Sequence, residues 1–204
     1  MDRIDEPRTA RSRKTRAAIL DATWSLVEDR GAEGLSMEEV AEVADVSRRA
    51  IYLHFSSRAE LLVAMVAHVD ERLDLEGSLR PVLEAPDAEA ALRAWTSHLA
   101  GYHRRIQKAV QAVDRARRTD EAAVELWTHA MGAWHRACLD LAERLAQEER
   151  LVEPWTVETA ADLLWAFMSV DLLEDLIEDR GWSEEAYAER LFVVLSRALM
   201  PASA

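Results

Sequence analysis

Between Ser36 and Phe55, apolar and polar residues recur with helical spacing in two short consecutive segments, and the rest of the chain is organised around this stretch. Ser36, followed three residues later by Glu39, is a capping-box pattern, which predicts that a helix begins after Ser36. Ser47 restarts the chain as a second N-cap. Two short helices joined by a tight turn predict a helix-turn-helix.

The second of these helices has one apolar and one basic face. Ile51 and Phe55 stand four residues apart, so they share one side of the helix and are expected to be buried. Arg48, Arg49 and Tyr52 then lie on the opposite side, where they can reach base edges and phosphates of DNA. An ordinary helical hairpin with a solvated charged face is the alternative that this pattern leaves open.

Apolar positions at spacings of three and four predict helices along the remaining chain as well. One Gly and two Pro predict a loop at residues 77–86. The expected additional helices cover residues 15–30, 57–76, 87–102, 106–117, 120–147, 156–180 and 183–199.

The last two predicted helices are apolar on more than one side. Residues 163–170 are apolar apart from Ser169, and residues 191–195 form an unbroken apolar run. A surface helix of a monomer buries a single stripe, so these helices predict a four-helix bundle between two copies of the chain. Coverage of the same surface within one chain is the alternative.

Residues 35–62 resemble the DNA-binding domain of the TetR family of transcriptional regulators. The resemblance rests on the run Ser-Arg-Arg-Ala-Ile-Tyr-Leu-His-Phe, then Ser57, Arg58 and the pair Leu61-Leu62. It implies nine or ten helices, a twofold dimer and a small-molecule pocket. Two positions depart from the family pattern: Asp45 stands in the turn where Gly is usual, and Arg58 stands where Lys is common.

We therefore expect an all-α chain of about nine helices in two domains. Residues 1–56 would hold a basic arm and a three-helix helix-turn-helix DNA-binding domain, and residues 57–204 a ligand-binding and dimerisation domain. A twofold dimer would set two recognition helices about 34 to 36 Å apart on operator DNA. The residues predicted to contact DNA are Ser36, Ser47, Arg48, Arg49, Ala50, Tyr52, His54 and Arg58.

The formal net charge of −13 is unusual for a DNA-binding protein. Its distribution answers part of this objection, because residues 1–60 hold 10 Lys and Arg against 12 Asp and Glu, whereas residues 61–204 hold 15 against 26. A basic cluster without acids precedes the first predicted helix and could lie along phosphates or in a minor groove, or could be a solvated tail. Its members are Arg8, Arg11, Arg13, Lys14 and Arg16.

Aromatic residues recur on the helices expected to enclose the second domain, where the TetR resemblance implies the effector pocket. An aromatic cage would accept flat or cationic hydrophobic compounds, although aromatics at this spacing also pack ordinary cores. His103 and Phe167 lie near these residues in the pattern. The residues predicted to line the pocket are Trp95, His98, Leu99, Tyr102, Trp127, Met131, Trp134, Trp165 and Met168.

The sequence gives little support for a metal site or for catalysis. His98 and His103 are five residues apart and His129 and His135 six, so neither pair shares a helical face, and His135 with Cys138 is a single pair. No G-x-S-x-G, H-E-x-x-H, C-x-x-C or phosphate-binding glycine loop occurs. We expect no cofactor and no enzymatic activity.

The polar N-terminal residues and the absence of an apolar run of about 18 residues predict a cytoplasmic protein without a membrane partner. The single cysteine fits a reducing compartment. The predicted function is that of a ligand-responsive, homodimeric repressor that a small hydrophobic or aromatic effector releases from a palindromic operator. A helical dimer that binds a small molecule or a protein and no longer reads DNA is the main alternative, and an enzyme is the third.

Overall fold

The computed structural model describes residues 5–32 and 34–201, with side chains from residue 10 onward. Within these ranges the protein contains eleven α-helices, two π-helical segments and no strand, which confirms the all-α prediction. The π-helical segments are Leu99–His103 and Glu174–Asp179. The α-helices are α1 Asp5–Arg30, α2 Met37–Val43, α3 Arg48–His54, α4 Arg58–Arg72, α5 Leu75–Leu83, α6 Ala88–His98, α7 Arg104–Ala116, α8 Glu121–Gln147, α9 Val157–Ala166, α10 Val170–Leu173 and α11 Glu184–Leu199.

The residues of the chain form two compact units. The first unit consists of Met1–Arg72 and Lys108–His129, and the second of Leu73–Gln107 and Ala130–Ala204. The predicted functional boundary after residue 56 stays a prediction. Two helices, α7 and α8, contribute residues to both units.

The first unit has its core between α1, α2, α3 and α4. Ile19, Val27 and Ile51 are completely buried there, as the helical spacing predicts. At the end of α1, Gly31 has a φ of +89° and donates its amide to the Val27 carbonyl at 2.9 Å, so it forms the C-cap of this helix. Arg30 also pairs with Glu39 at 2.6 Å, which ties the end of α1 to the start of α2.

The basic cluster lies within α1 instead of in an arm before it. α1 begins at Asp5, ten residues earlier than predicted, and Arg11, Arg13, Lys14 and Arg16 are exposed along it. The side chain of Arg8 lies outside the described part. Extension is favourable because residues 10–18 contain no Gly or Pro that would end a helix.

The predicted loop at residues 77–86 is wrong over most of its length, because α5 occupies Leu75–Leu83 with Pro81 inside it. Asp74 accounts for the difference, since its side chain accepts a hydrogen bond from the Gly77 amide at 3.1 Å and caps the helix. The predicted helix over residues 57–76 correspondingly ends at Arg72.

The second unit packs α6, the second part of α8, α9 and α11 around a common core that includes Leu92, Trp95, Leu145 and Leu195. Between the helices predicted over residues 87–102 and 106–117, a π-helical segment joins α6 to α7 without a break. The predicted helix over residues 156–180 is interrupted at residues 167–169. Ser169 caps α10 there by accepting a hydrogen bond from the Leu172 amide at 3.5 Å, so a new helix begins inside the apolar run.

Long helix α8 follows its predicted limits, but its first turns have a different buried face. A spacing of three residues joins Val124 to Trp127 and predicts that both point inward, but Val124 is 45% exposed, whereas Ala123 and Leu126 are buried. In its second half α8 keeps the spacing of three and four, with Cys138, Leu141 and Leu145 buried.

None of the helices in the described ranges is by itself long and apolar enough to cross a membrane. One bent pair, Arg48–His54 with Arg58–Arg72, meets that test by length and composition alone, with an angle of 72° between its helices.

Candidate nucleic-acid interface and aromatic cluster

The helix-turn-helix is built by the caps that the sequence predicts. Ser36 and Glu39 form the capping box of α2, with the Glu39 amide donating to Ser36 Oγ at 3.2 Å. In the turn, Asp45 has a φ of +53°, the left-handed conformation for which other sequences would use Gly. The Val46 amide closes the turn by donating to the Ala41 carbonyl at 2.9 Å.

Helix α3 presents the predicted face to solvent. Ser47 caps it by accepting a hydrogen bond from the Ala50 amide at 3.2 Å. Ile51 and Phe55 are buried at 0% and 1% exposure, whereas Tyr52 is 45% exposed and Leu53 74%. Arg48 and Arg49 are exposed as well, so the predicted orientation of the helix is confirmed, and its contacts with DNA stay a prediction.

The two arginines of α3 differ in their surroundings. Arg48 NH2 pairs with Glu38 Oε1 of α2 at 2.7 Å, and its guanidinium lies 6.0 Å from the centre of the Tyr52 ring. Arg49 has no hydrogen-bond or ion-pair partner among the described residues. Arg49 is therefore the arginine whose guanidinium is available to a ligand without first breaking an ion pair.

Other residues predicted to contact DNA are partly used by the fold. Ser36 and Ser47 are occupied as caps, and Ala50 and His54 are partly buried. The His54 ring lies 6.3 Å from the ring of Phe55. Their predicted DNA contacts remain to be tested.

Arg58 is held inside the first unit. Its NH2 group donates to the Ala32 carbonyl at 2.6 Å and to the Asp120 carboxylate, and its side chain is 24% exposed. Asp120 is 10% exposed and also accepts the Ala122 amide at 3.0 Å, so it caps α8 while it pairs with Arg58. The phosphate contact predicted for Arg58 remains untested, and such a contact would compete with this ion pair.

Four rings of the second unit form an aromatic cluster, which we define as His98, Tyr102, His103 and Trp134. His98 stacks on Tyr102 with 5.2 Å between centroids, and His103 lies 4.4 Å from Trp134. His98 also meets His103 edge-on at 5.5 Å. The π-helical turn at Leu99–His103 carries two of these rings on one short segment.

Both histidines of the aromatic cluster are buried and neutral at pH 7. Burial lowers the pKa of His98 to about 4, with a further contribution from the positive charge of Arg105. Burial also lowers the pKa of His103 to about 3, assisted by His98 and opposed by a hydrogen bond to the Met168 backbone. His98 Nδ1 is hydrogen bonded to Ser78 Oγ at 2.8 Å.

The structure does not bring all the predicted ligand-binding residues together. Trp95, Leu99 and Met168 are buried in the general core of the second unit, and Trp165 is 39% exposed. Met131 is partly exposed. Met168 nevertheless adjoins the aromatic cluster, because its backbone is hydrogen bonded to His103.

Trp127 belongs to the first unit, where Arg117 lies 4.5 Å from the centre of its ring. The predicted cage of four tryptophans therefore reduces, in the second unit, to one tryptophan packed with two histidines and a tyrosine. His103 lies near the residues predicted to line the pocket and is not one of them. His98 and His103 follow the buried Trp95 by three and eight residues, and this spacing is the signal that could have found His103.

Within the described ranges, no three His, Cys, Asp or Glu side chains are grouped as a metal site. His135 Nε2 lies 3.0 Å from Asp162, and the buried Cys138 thiol points to Met168 Sδ at 3.4 Å. Burial raises the pKa of the Cys138 thiol to about 12, so it is a poor nucleophile.

Comparison with known proteins places the helix-turn-helix in a family. Residues 19–65 match the sequence model described as bacterial regulatory proteins, tetR family. The transcriptional repressor KstR of Rhodococcus jostii is 41% identical over 69 residues, which are 34% of this chain and 32% of that protein. The transcriptional regulator EthR of Mycobacterium tuberculosis is 29% identical over 123 residues, 57% of this chain and 55% of that protein.

The chain thus spans about a third to about half of the length of these curated relatives, which are transcriptional regulators and not enzymes. The fold extends the likeness further along the chain. Native NalD of Pseudomonas aeruginosa, the secondary repressor of the MexAB-OprM multidrug efflux pump, has a TM-score of 0.71 at 24% identity, covering 95% of this chain and 99% of NalD. At this identity the similarity demonstrates a shared fold.

Proposed function

Because this chain belongs to the TetR family of bacterial regulatory proteins, we propose that it is a ligand-responsive repressor that binds a palindromic operator as a homodimer. A small hydrophobic or aromatic effector would release it from this operator. Repression is preferred to activation because KstR and NalD are both named as repressors.

One observation carries the proposal: α3 is anchored by buried Ile51 and keeps Arg49 exposed on its opposite face, with no hydrogen-bond or ion-pair partner in the part of the chain that the structure describes. A guanidinium fork in this position matches the O6 and N7 acceptors of guanine, and also matches phosphate. Tyr52 and Leu53 are exposed beside it and would contact backbone and base edges.

Dimerisation is supported by apolar side chains that the last helices leave in solvent. Trp165 of α9 is 39% exposed and Val194 of α11 is 51% exposed. Contiguous apolar surface marks a face that a partner covers, and we infer that these two side chains belong to such a face. Two copies joined in this way would present two α3 helices to successive major grooves.

The effector would bind in the second unit, at the aromatic cluster. Effector and operator would then oppose each other through one coupling free energy, so that each lowers the affinity of the dimer for the other.

Selection of bound fragments from a random duplex library with the full chain tests this proposal. The expected product is a pseudo-palindrome whose half-site centres are about 34 to 36 Å apart, one helical turn of DNA. Absence of any enriched sequence would contradict the repressor assignment.

A second candidate function, a helical dimer that no longer reads DNA, is favoured by the net charge of −13 and by the pairing of Arg48 with Glu38. A salt titration on random duplex separates the two candidates. A DNA-binding protein must lose affinity steeply with salt because counterions compete for the phosphates, and a protein without a DNA-binding surface has no such affinity to lose.

A further inference from the structure

The buried imidazole of His103 has one nitrogen with a hydrogen bond and one without. The ring is 3% exposed and is hydrogen bonded to the Met168 backbone. Nδ1 has no hydrogen-bond partner among the described residues, so the nitrogen that donates to the Met168 carbonyl is Nε2. A neutral imidazole carries a single proton, which this bond places on Nε2. Nδ1 is therefore a buried acceptor that awaits a donor.

Buried acceptors are costly to leave unpaired, and folded proteins satisfy nearly all of them with protein groups, water or a ligand. The other polar ring of the aromatic cluster is satisfied internally, because His98 Nδ1 is hydrogen bonded to Ser78 Oγ at 2.8 Å. Two other buried nitrogens without partners, Arg58 Nε and Arg150 Nε, belong to guanidinium groups whose NH2 nitrogens are paired. Among these atoms, only His103 Nδ1 is an acceptor.

The surroundings of His103 suit a flat molecule. The Trp134 ring lies 4.4 Å from the His103 ring at an interplanar angle of 33°. Trp134 is partly exposed, so within the aromatic cluster it is the ring that a molecule entering from solvent meets. An aromatic body placed against this indole would gain stacking and apolar contact.

The charges near the aromatic cluster disfavour a cation. Arg105 lies 5.3 Å from the centre of the Tyr102 ring, and His98 stacks on the same ring. The phenol face that could attract a ligand cation is thus already used by an arginine of the protein. Both histidines are neutral and offer no anionic partner, which argues against the cationic compounds that the sequence alone allowed.

We propose that the effector is an uncharged aromatic compound of the phenol class, whose hydroxyl group donates a hydrogen bond to His103 Nδ1 while its ring packs against Trp134. This inference rests on the proposed function and specifies the chemistry of its effector. It assigns His103 a binding role that only a donor can fill: a compound of the same shape without an O–H or N–H group leaves Nδ1 unpaired.

The test compares three probes with one naphthalene body: 2-naphthol, 2-methylnaphthalene and (2-naphthylmethyl)ammonium. Dissociation constants are measured by NMR titration of the full chain labelled with nitrogen-15 in its histidines. We expect 2-naphthol to bind about ten-fold more tightly than 2-methylnaphthalene, the ratio that one net hydrogen bond gives, and the ammonium compound to bind most weakly. The Nδ1 resonance of His103 should shift only with 2-naphthol.

Replacement of the acceptor provides the second arm. In His103→Phe the preference for 2-naphthol should disappear, whereas His135→Phe, which changes a histidine outside the aromatic cluster, should retain it. The nitrogen-15 shift in the unsubstituted protein keeps the test decisive if His103→Phe fails to fold.

Equal affinity for 2-naphthol and 2-methylnaphthalene, a preference that survives in His103→Phe, or no binding of any probe would each overturn the inference. An Nδ1 resonance that 2-naphthol leaves unchanged would assign this acceptor to a trapped water and would overturn it too. Selection of operator DNA with the same protein shows whether such a result rejects only the proposed effector or also the proposed repressor function. Enriched operator DNA with no probe preference rejects only the effector chemistry, and no enriched DNA rejects the repressor.

Discussion

Glu38 and Arg48 form an ion pair between the two helices of the helix-turn-helix, with 2.7 Å between Oε1 and NH2. Their side chains are 48% and 72% exposed, so the pair is a surface interaction worth at most about 1 kcal/mol. Its position matters more than its strength, because it sets a carboxylate beside a guanidinium that we expect to meet DNA. Glu38 would thus weaken the positive potential of the surface that we expect to read the operator.

Glu38→Gln is expected to increase affinity for operator DNA about two- to five-fold, since it removes a negative charge and releases Arg48. A gel-shift titration at low salt measures the change. Glu42→Gln, which removes another exposed carboxylate from α2, is the matched control for a general charge effect and should give a smaller increase. Lower affinity in Glu38→Gln would mean that the ion pair orients Arg48 for binding.

Arg49→Ala should weaken binding to the selected operator by about 1 to 3 kcal/mol if its guanidinium makes a bidentate contact with a base. Arg49→Lys distinguishes the two kinds of contact, because lysine keeps the charge for a phosphate and loses the fork for guanine. Fluorescence anisotropy measures the dissociation constants of each variant for the selected operator and for random duplex. Arg180→Ala, an exposed arginine of the second unit, controls for charge, and an unchanged affinity in Arg49→Ala would contradict the assignment of α3.

The Arg58 and Asp120 pair is expected to stabilise the first unit. Asp120→Ala removes a largely buried partner of Arg58 and the cap of α8 together, so the free energy of unfolding should fall by about 2 to 4 kcal/mol. Urea denaturation followed by circular dichroism measures this loss. Asp114→Ala breaks a more exposed pair with Arg117 in the same unit and should cost less than about 1 kcal/mol. Equal losses in the two variants would refute the structural role of Asp120.

The features that the sequence predicts correctly depend on residues close together in the chain. The caps at Ser36 and Ser47 each bind an amide three residues ahead, so a short pattern suffices to find them. Burial of Ile51 follows in the same way from its position on one helical turn. These are local interactions, and the helices they define are confirmed.

The sequence predictions are wrong where a second local signal, or a residue distant in the chain, determines the structure. Asp74 and Ser169 are caps that outweigh the Gly and Pro residues and the apolar run in which they lie. Arg58 pairs with Asp120, 62 residues away, and no periodicity indicates that contact. The aromatic cluster likewise depends on contacts between helices. Helical spacing predicts that Trp95 and Trp134 face inward, but it does not predict which rings they contact.

The buried histidines predict a loss of stability in mild acid. His98 has a pKa near 4 in the folded protein and an ordinary pKa near 6.5 when unfolded, so the unfolded state binds more protons between these values. The stabilising contribution of the neutral ring is complete above about pH 6.5 and is lost as the pH falls toward 4, at a cost of up to about 3 kcal/mol. Urea midpoints at pH 7.0, 6.0 and 5.0 should therefore decrease in that order.

His98→Gln should flatten this pH dependence, because glutamine keeps a hydrogen-bonding group for Ser78 and does not titrate. His129→Gln, at an exposed histidine, should leave the dependence as steep as in the unsubstituted protein. A pH dependence that is unaffected by His98→Gln and by His103→Phe would show that other groups are responsible.

The exposed Val194 of α11 predicts how the dimer can be broken. Val194→Arg would place a charge in the apolar surface that we expect a second copy to cover, and an unpaired charge there should raise the dimer dissociation constant by about a hundred-fold or more. Sedimentation equilibrium over a range of protein concentrations measures this constant. Leu83→Arg is the matched control, because Leu83 of α5 is 75% exposed and lies outside the last helices. A dimer that survives Val194→Arg and dissociates in Leu83→Arg would place the interface on α5 instead. The expected spacing of the operator half-sites would then change as well, because the surfaces that meet at the twofold axis determine the distance between the two α3 helices.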